Sequence, residues 1–213
     1  MELIFATGNA HKIHEASGIL GPSYILHSPA EYGLTNDIPE TGTTLEENSS
    51  QKAVFIHDRL HCACFADDSG LEVDALDGAP GVYTARYAAG DTRFKDNLDK
   101  LLWALSGIED PSRRTARFHT VVTLFCDESD SPVRFQGYCE GRIGFERKGC
   151  GGFGYDPIFI PAEIPLHRAD GSWTLVPNTE GLAMAQLPDG DKNHISHRGR
   201  ALRAMAEYLA SKK

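Results

Sequence analysis

Two adjacent carboxylates, Asp67 and Asp68, directly follow the apolar run 62–66. The run predicts a buried strand, which would place both carboxylates at its carboxyl end, where open α/β sheets usually bind ligands. Two negative charges so close together repel each other and require a cation, either a basic side chain or Mg²⁺. Asp and Gly are also common in turns, so a strand-exit turn without chemistry is the alternative interpretation.

The beginning of the chain has the pattern of a phosphate-binding junction. An apolar strand, 3–6, is followed by the short loop 7–12 and then by a helical pattern of apolar residues. Free N–H groups and the positive end of the helix would point at one spot there, and Lys12 adds a full positive charge. The sequence lacks the Gly-Lys-Ser/Thr ending of a Walker loop, so a tight turn without a ligand is the alternative.

A glycine-rich segment, 151–159, surrounds the aromatic residues Phe153 and Tyr155. Glycine allows the backbone to approach a flat ligand closely, and either ring could then stack on that ligand. A hairpin or β-bulge with core aromatics is the alternative.

A basic cluster, formed by Lys192, His197 and Arg198, lies near the end of the chain. Ser196 is a suitable N-cap for the apolar helical pattern that follows, which would place these cations around a helix N-terminus. Cations are unfavourable at that end of a helix unless an anion is also present. The cluster therefore favours a ligand.

Together these segments closely resemble the inosine triphosphate pyrophosphatase family, whose members hydrolyse non-standard purine nucleoside triphosphates. The matching stretches occur in the family's order and span nearly the whole chain. They are residues 6–12, 40–48 with Lys52, 66–74, 78–87, 151–159 and 196–199.

The apolar patterns predict a mixture of strands and helices along the chain. Strands are expected near 2–6, 24–27, 62–66, 115–126, 133–140 and 157–160, and helices near 12–20, 44–60, 91–105 and 197–212. This mixture predicts an α/β fold with a mixed, strongly twisted central sheet and flanking helices. The length of 213 residues fits one domain, and the resemblance implies two lobes around a nucleotide cleft.

The resemblance implies hydrolysis between the α- and β-phosphates, with Mg²⁺ as cofactor. We assign the metal to Glu40 and Asp68, and leave open whether Asp67 or Glu47 contributes through water. Asp68 would also orient or deprotonate the attacking water, the role that the family gives this position. Glu47 has a competing structural explanation, because Thr44 and Glu47 have the spacing of a capping box.

The substrate-binding residues are assigned by the same resemblance. The loop 7–12 and Lys52 would hold the triphosphate, Ser69 would touch it, and Phe153 would stack on the purine. Lys192, His197 and Arg198 would reach the base or the phosphates. The full set is Thr7, Gly8, Asn9, Ala10, His11, Lys12, Lys52, Ser69, Phe153, Gly154, Tyr155, Asp156, Lys192, His197 and Arg198.

Base selection should depend on the group at C6 of the purine. Hypoxanthine and xanthine present a carbonyl there and adenine presents an amine, so a fixed donor from Lys192, Arg198 or a backbone N–H would favour the first two. An unpaired buried donor costs about 1–3 kcal/mol. Guanine shares the carbonyl and must be rejected by other means.

Two other classes of function remain open at this point. A nucleotide sensor without activity would keep the phosphate loop and the aromatic residue but lose a carboxylate, whereas Glu40 and Asp68 are both present. A metal-dependent phosphatase of small phosphate esters could use the same acidic pair and would release orthophosphate.

The composition favours a small-molecule substrate over a polymer. The net charge of −9 and the pI of about 5.4 argue against duplex DNA and anionic membranes as partners. Five cysteines without a Cys-x-x-Cys spacing suggest reduced thiols in a cytoplasmic protein. The set His57, His61, Cys62 and Cys64 could be mistaken for zinc ligands, but a helix end followed by a strand would direct these side chains differently. The resemblance implies a homodimer.

The segment 162–191 is rich in proline and glycine and is longer than the family pattern requires. It predicts an insertion on the surface, and a solvent-facing loop of this size carries little closure cost. One interpretation is a surface loop without a function. In the other, Trp173 or His167 closes over the nucleotide as part of a lid, or packs on a second subunit.

Overall fold

The computed structural model describes residues 1–35, 37–126 and 131–212. The strands are β1 (Glu2–Phe5), β2 (Ile25–His27), β3 (Cys64–Val73), β4 (Pro80–Gly81), β5 (Thr115–Phe125), β6 (Val133–Ile143), β7 (Phe159–Pro161), β8 (Glu163–His167) and β9 (Trp173–Pro177). The α-helices are α1 (Ala10–Leu20), α2 (Leu45–Leu60), α3 (Asn97–Ala104), α4 (Asp189–Ile195) and α5 (His197–Ser211).

Within the described residues, seven strands form a mixed sheet in the order β2-β1-β3-β5-β6-β7, and β4 pairs with β3. Strand β1 is parallel to β2 and β3, whereas β4 and β7 run antiparallel to their partners. Strands β8 and β9 form a separate antiparallel pair. The predicted α/β fold with a mixed central sheet and flanking helices is therefore confirmed.

The chain forms two compact units. The first unit comprises 1–69, 120–137 and 197–213, and the second comprises 70–119 and 138–196. Strands β3, β5 and β6 contribute residues to both units. No helix in the ranges that the structure describes is long and apolar enough to cross a membrane.

The core of the first unit consists of two apolar clusters. Phe65 of β3 packs with residues of α1 and α5, among them Ala16 and Met205. Its neighbours on β3, Cys64 and Ala66, pack in the other cluster with residues of α2. Successive side chains of a strand point to opposite faces, so β3 alternates between the two clusters.

The core of the second unit includes the fully buried Arg114. Its guanidinium donates four hydrogen bonds to main-chain oxygens, at 2.8 to 3.1 Å, and burial lowers its pKa. The acceptors lie in the loop after α3 and at the end of β6; they are Leu105, Ile108, Ile143 and Gly144. Arg114 thereby joins two segments that are distant in sequence.

Three predicted elements differ from the structure. Strand β3 continues to Val73 instead of ending at residue 66. The helix expected over 91–105 begins at Asn97, because Asp96 caps it by accepting a hydrogen bond from the Asp99 N–H. The segment 162–191 contains β8, β9 and the start of α4, none of which was predicted.

Candidate active site

Asp67 and Asp68 lie within strand β3, so their predicted position at the end of a strand is wrong. The strand continues beyond them and pairs with β4 at Leu71 and Glu72. Because adjacent side chains of a strand point to opposite faces, the two carboxylates are directed to different surroundings. The Asp67 side chain lies on the face of β3 that packs against α1 and α5. The Asp68 side chain lies on the face that packs against α2.

Asp67 is held between two cations. Its side chain is 1% exposed, Lys12 Nζ lies 2.8 Å from Oδ1, and Arg198 Nε lies 2.9 Å from Oδ2. Arg198 also contacts Glu15, with 2.5 Å between Nη1 and Oε2. Burial alone would raise the pKa of Asp67, but the charges of Lys12, Arg198 and Lys52 together lower it. Asp67 therefore anchors Lys12 and Arg198.

Asp68 contacts residues of α2. Its Oδ1 accepts a hydrogen bond from Lys52 Nζ at 2.9 Å, and its Oδ2 accepts one from Asn48 Nδ2 at 3.2 Å. Lys52 Nζ also donates to Glu40 Oε1 at 2.6 Å, and the Gly42 N–H donates to Asn48 Oδ1 at 2.7 Å. Helix α2 thus connects Asp68 to the loop that carries Glu40.

Burial and neighbouring charges shift the pKa values of this group. Burial raises the pKa of Asp68, and Glu40 adds to this effect, although Lys52 and Asn48 oppose it. Burial would lower the pKa of Lys52, but Asp68, Asp67 and Glu40 raise it overall. Lys52 is therefore a permanent cation, whereas Asp68 binds a proton more readily than an ordinary aspartate.

The loop between β1 and α1 is organised by Asn9. Its Oδ1 accepts hydrogen bonds from the N–H groups of His11 and Lys12, at 2.9 and 3.3 Å, and its own N–H donates to Thr7 Oγ1. Gly8 faces open space, because a Cβ there would have no atom within 4 Å. The loop thus directs Thr7, Gly8 and Lys12 towards one side.

A cavity of about 490 Å³ in the first unit is lined by this loop together with Glu40, Lys52 and Asp67. Its other wall is formed by residues that the sequence did not single out: Ser28, Pro29, Ala30, Leu34, Thr35, Asp37 and Ile38. The capping box formed by Ser28 and Glu31 gave a signal for the short helix there, but not for its place in the cavity. The charged residues that line the cavity are two lysines, Lys12 and Lys52, and the carboxylates Asp37, Glu40 and Asp67.

The glycine-rich segment lies in the second unit. Phe153 is 87% exposed, and its N–H donates to Asp156 Oδ2 at 3.0 Å. Tyr155 is buried instead, and its hydroxyl donates to the Thr84 carbonyl at 2.9 Å. Tyr155 is therefore part of the core, and the expectation that it could offer a stacking face is wrong.

Glycine is required where this segment passes close to its neighbours. Gly149 has φ of 78°, and a Cβ there would lie 2.7 Å from the Ala185 carbonyl oxygen. The Gly151 N–H donates to the same oxygen at 3.3 Å, and a Cβ on Gly151 would lie 3.6 Å from Lys192 Nζ. The segment and Lys192 are thus brought together in the second unit, where the Lys192 side chain is 12% exposed.

The three residues of the predicted basic cluster lie on two helices. Lys192 belongs to α4, whereas His197 and Arg198 are the first residues of α5, so only the latter two form part of the α5 N-terminus. Gly137 of β6 permits the start of α5 to pack closely, because a Cβ there would lie 2.1 Å from the His197 carbonyl oxygen. This contact sets the position from which Arg198 reaches Asp67.

The comparisons with known proteins identify the family. The model of the Ham1 family matches residues 3–208. The chain belongs to the Ham1 family. It is 43% identical over 210 residues to the dITP/XTP pyrophosphatase of Porphyromonas gingivalis, covering 98% of this chain and 97% of that one. It is 40% identical to the dITP/XTP pyrophosphatase of Christiangramia forsetii, covering 99% and 100%.

Solved structures of Ham1 proteins have the same fold. The Ham1 protein of Staphylococcus aureus superimposes with a TM-score of 0.82 at 34% identity, over 100% of both chains. The dITP/XTP pyrophosphatase of Mycobacterium abscessus superimposes with a TM-score of 0.71 at 36% identity, over 96% of this chain and 98% of that one. The resemblance inferred from the sequence motifs is therefore confirmed.

Two candidate site residues of this Ham1 chain, Glu47 and Ser69, form hydrogen bonds within the protein. Glu47 Oε2 accepts hydrogen bonds from the N–H groups of Thr43 and Thr44, and Thr44 Oγ1 accepts one from the Glu47 N–H. These bonds confirm the capping box and lower the pKa of Glu47. The hydroxyls of Ser69 and Thr120 lie 2.7 Å apart.

The donor set of the Ham1 chain fits Mg²⁺. Glu40 Oε1 and Asp68 Oδ1 both contact Lys52 Nζ, so the two carboxylates lie within reach of a single cation. Within 1–35, 37–126 and 131–212 no group of three or more His, Cys, Asp or Glu side chains could hold a metal. Magnesium commonly takes one or two carboxylates and completes its shell with water and phosphate oxygens, which is the arrangement that this pair allows.

Proposed function

We propose that this chain hydrolyses non-standard purine nucleoside triphosphates, such as dITP, ITP and XTP, to the nucleoside monophosphate and pyrophosphate. The observation that carries the proposal is the pairing of Glu40 and Asp68 around Lys52 beside the loop 7–12. The relatives named dITP/XTP pyrophosphatase span nearly the whole chain and support the same substrate class.

The cations of the first unit would bind and neutralise the triphosphate. Phosphoryl transfer requires little covalent chemistry from the protein, so positioning and charge neutralisation supply most of the rate. Lys12 and Arg198 are held in place by Asp67, and Lys52 is held by Asp68 and Glu40. These side chains therefore keep their positions without a large reorganisation when substrate binds.

Asp68 is the proposed general base. A water molecule adds to phosphorus at the α–β anhydride, its proton passes to Asp68, and the bond from phosphorus to the bridging oxygen breaks. The hydrogen bonds of Asp68 with Lys52 and Asn48 fix the direction of its carboxylate.

We propose that Glu40 and Asp68 hold Mg²⁺, and that Asp67, whose two oxygens contact Lys12 and Arg198, holds these two cations in place. The metal would supply charge neutralisation at the phosphate oxygens. Activity should disappear in excess chelator and return with Mg²⁺, and Ca²⁺ should replace it poorly because Ca²⁺ prefers more ligands and looser geometry. Full turnover in the presence of chelator would refute this assignment.

The second unit would recognise the base. Phe153 offers an exposed ring for stacking, and Lys192 offers a donor for the C6 carbonyl of hypoxanthine or xanthine. Replacing Phe153 by Ala should weaken nucleotide binding by about 1–3 kcal/mol and leave thermal stability unchanged, because the ring is exposed. Phe153→Trp keeps a stacking surface and should keep the affinity. Lower thermal stability with unchanged affinity in the Ala variant would contradict stacking.

A product assay tests the whole proposal. The protein is incubated with dITP, ITP, XTP, ATP or GTP and Mg²⁺, and the released ion is identified. We expect pyrophosphate, released fastest from the inosine and xanthosine nucleotides. Release of orthophosphate would indicate a phosphatase, and nucleotide binding without any release would indicate a sensor.

We also propose that the protein acts in the cytoplasm as a homodimer. This proposal rests on the sequence resemblance. The cysteines of the described residues, Cys62, Cys64, Cys126, Cys139 and Cys150, form no disulfide bond. Sedimentation equilibrium measures the assembly directly, and a monomer mass at micromolar concentration would contradict it.

A further inference from the structure

The segment 162–191 contains a β-hairpin whose closed end has a defined structure. Strands β8 and β9 pair in register from Glu163 opposite Pro177 to His167 opposite Trp173. The turn between them is closed by Asp170, whose Oδ1 accepts hydrogen bonds from the N–H and hydroxyl of Ser172 at 2.9 and 2.6 Å. His167 and Trp173, the last pair before the turn, form what we call the hairpin tip.

The hairpin tip contacts helix α4. His167 Nε2 lies 2.6 Å from Asp191 Oδ1, and the rings of Trp173 and His194 are 4.2 Å apart with an interplanar angle of 32°. Asp191 and His194 are three residues apart and therefore occupy one face of the helix. Both residues of the tip thus contact the same face of α4.

Another face of α4 carries the core residue Ile195 and Lys192, the proposed donor to the base. Ile195 is 1% exposed and belongs to the core of the second unit. Lys192, also three residues away from Ile195, is largely buried and places Nζ beside Gly151. The helix therefore lies between the hairpin tip and the glycine-rich segment that carries Phe153.

Neither the helix nor the hairpin is long enough to be stable alone. Helix α4 has seven residues, and helices of that length are marginal in water without tertiary contacts. An isolated two-stranded hairpin is also marginal. The contacts of His167 and Trp173 join these two elements. Each element also packs on the core of the second unit, the helix through Ile195 and the hairpin through Ile164 and Leu175.

We propose that the hairpin tip positions Lys192 for base recognition, acting through Asp191 and His194. His167 and Trp173 are then positioning residues that determine substrate preference without touching the nucleotide. The inference rests on the proposed role of Lys192 as the donor to the C6 carbonyl. It differs from both interpretations of this segment from the sequence, an inert surface loop and a lid or subunit contact, because the tip acts through α4.

The test compares kinetic parameters for dITP and dATP in parent, Lys192→Met, His167→Ala and Trp173→Ala. Loss of the tip should raise KM for dITP by about 2- to 150-fold, the range typical of coupled contacts, and leave kcat within about twofold. The preference for dITP over dATP should fall in parallel. Trp103→Ala, which removes an exposed tryptophan of α3 in the same unit, is the matched control and should keep the parent values.

A double-mutant cycle separates positioning from general stability. In the Lys192→Met background, Trp173→Ala should have no further effect on KM, because the group that the tip positions is already absent. Trp173→Phe and His167→Gln retain the ring contact and the hydrogen bond, and they should restore the parent KM. An equal loss from Trp173→Ala in both backgrounds would overturn the inference.

The remaining outcomes distinguish a failure of the proposed role of Lys192 from a failure of the proposed role of the hairpin tip. An unchanged preference in Lys192→Met would refute the proposed role of Lys192 itself. A changed preference in Lys192→Met together with parent values in both tip variants would refute only the positioning role of the hairpin. Far-UV circular dichroism verifies that each variant is folded. The two rescue variants, Trp173→Phe and His167→Gln, keep the contacts of the tip and therefore test the positioning role without a loss of stability.

Discussion

The surroundings of Asp67 and Asp68 differ although the residues are adjacent in the chain. Asp67 lies between Lys12 and Arg198, is 1% exposed, and has a lowered pKa. Asp68 has a 14% exposed side chain and a raised pKa, with Lys52 and Asn48 as its partners. One carboxylate is used to hold cations in place, and the other keeps its basicity.

The alternation of a β-strand is what permits this difference. Two carboxylates on one face would share the same cations and have similar pKa values. Directed to opposite faces, Asp67 contacts Lys12 of α1 and Arg198 of α5, whereas Asp68 contacts Lys52 and the neutral amide of Asn48, both of α2. Adjacent residues can therefore have opposite functions on one strand.

The largest expected effect is on turnover in Asp68→Asn. The amide keeps the shape of the side chain but loses its charge and basicity, so turnover should fall by about 10²- to 10⁴-fold, the usual contribution of a general base. Stability should be retained or increased, because an ionised Asp68 is disfavoured by burial. Steady-state kinetics and thermal unfolding measure the two properties. Turnover within a few-fold of the parent would refute the role of Asp68.

The second-largest expected effect is a loss of stability in Asp67→Asn. This variant leaves Lys12 and Arg198 without their shared partner in a buried position, and breaking such a pair costs about 3–5 kcal/mol. Urea unfolding measures the free energy. A loss of unfolding free energy similar to that of Asp68→Asn would show that the two carboxylates are equivalent and would contradict the difference proposed between them.

The pH dependence of stability should have opposite signs for the two residues. The pKa of Asp67 falls from its usual 3.8 on folding, so its contribution is present above that pH and is lost as pH falls through the folded value. The pKa of Asp68 rises on folding, so its contribution is present below 3.8 and is lost as pH increases through the folded value.

Free energies of unfolding between pH 3 and pH 7 in parent and both variants measure this difference. The advantage of the parent over Asp67→Asn should shrink on acidification. The advantage of Asp68→Asn over the parent should grow as pH rises. Parallel curves for the two variants would contradict the assigned pKa directions.

The smallest effect is expected from Asn48→Ala. The variant removes one hydrogen bond to Asp68 and leaves the Gly42 N–H without its acceptor, which costs about 1–3 kcal/mol. Turnover should fall less than in Asp68→Asn. Gln51→Ala is the control, because Gln51 also accepts from a loop N–H, that of Thr41, on an exposed part of the same helix. Equal effects of the two variants on turnover would exclude a role for Asn48 in orienting Asp68.

The sequence predicted the elements that depend on local patterns. The strand and loop before α1, the capping box of α2 and the limits of β5 follow from short-range signals, and the structure agrees with them. Strand β3 was predicted too short because aspartates disfavour strand interiors. The cations that neutralise them come from residues 12, 52 and 198, and no local pattern shows that these positions meet.

Two other differences have similar causes. Tyr155 and Phe153 are two residues apart and equally aromatic, but Tyr155 is buried because its hydroxyl finds an acceptor in Thr84, far away in sequence. The hairpin of β8 and β9 contains proline in both strands, which weakens the strand signal. Its tip contacts α4, and the sequence does not reveal this contact.

The buried guanidinium of Arg114 has a consequence for the mutational tolerance of the second unit. The guanidinium donates to four carbonyl oxygens from a planar fork that an ammonium group cannot match, and methionine would remove all four of these hydrogen bonds. Few positions in a protein are so strictly determined without touching a ligand. A library randomised at this codon and selected only for folding should return arginine alone.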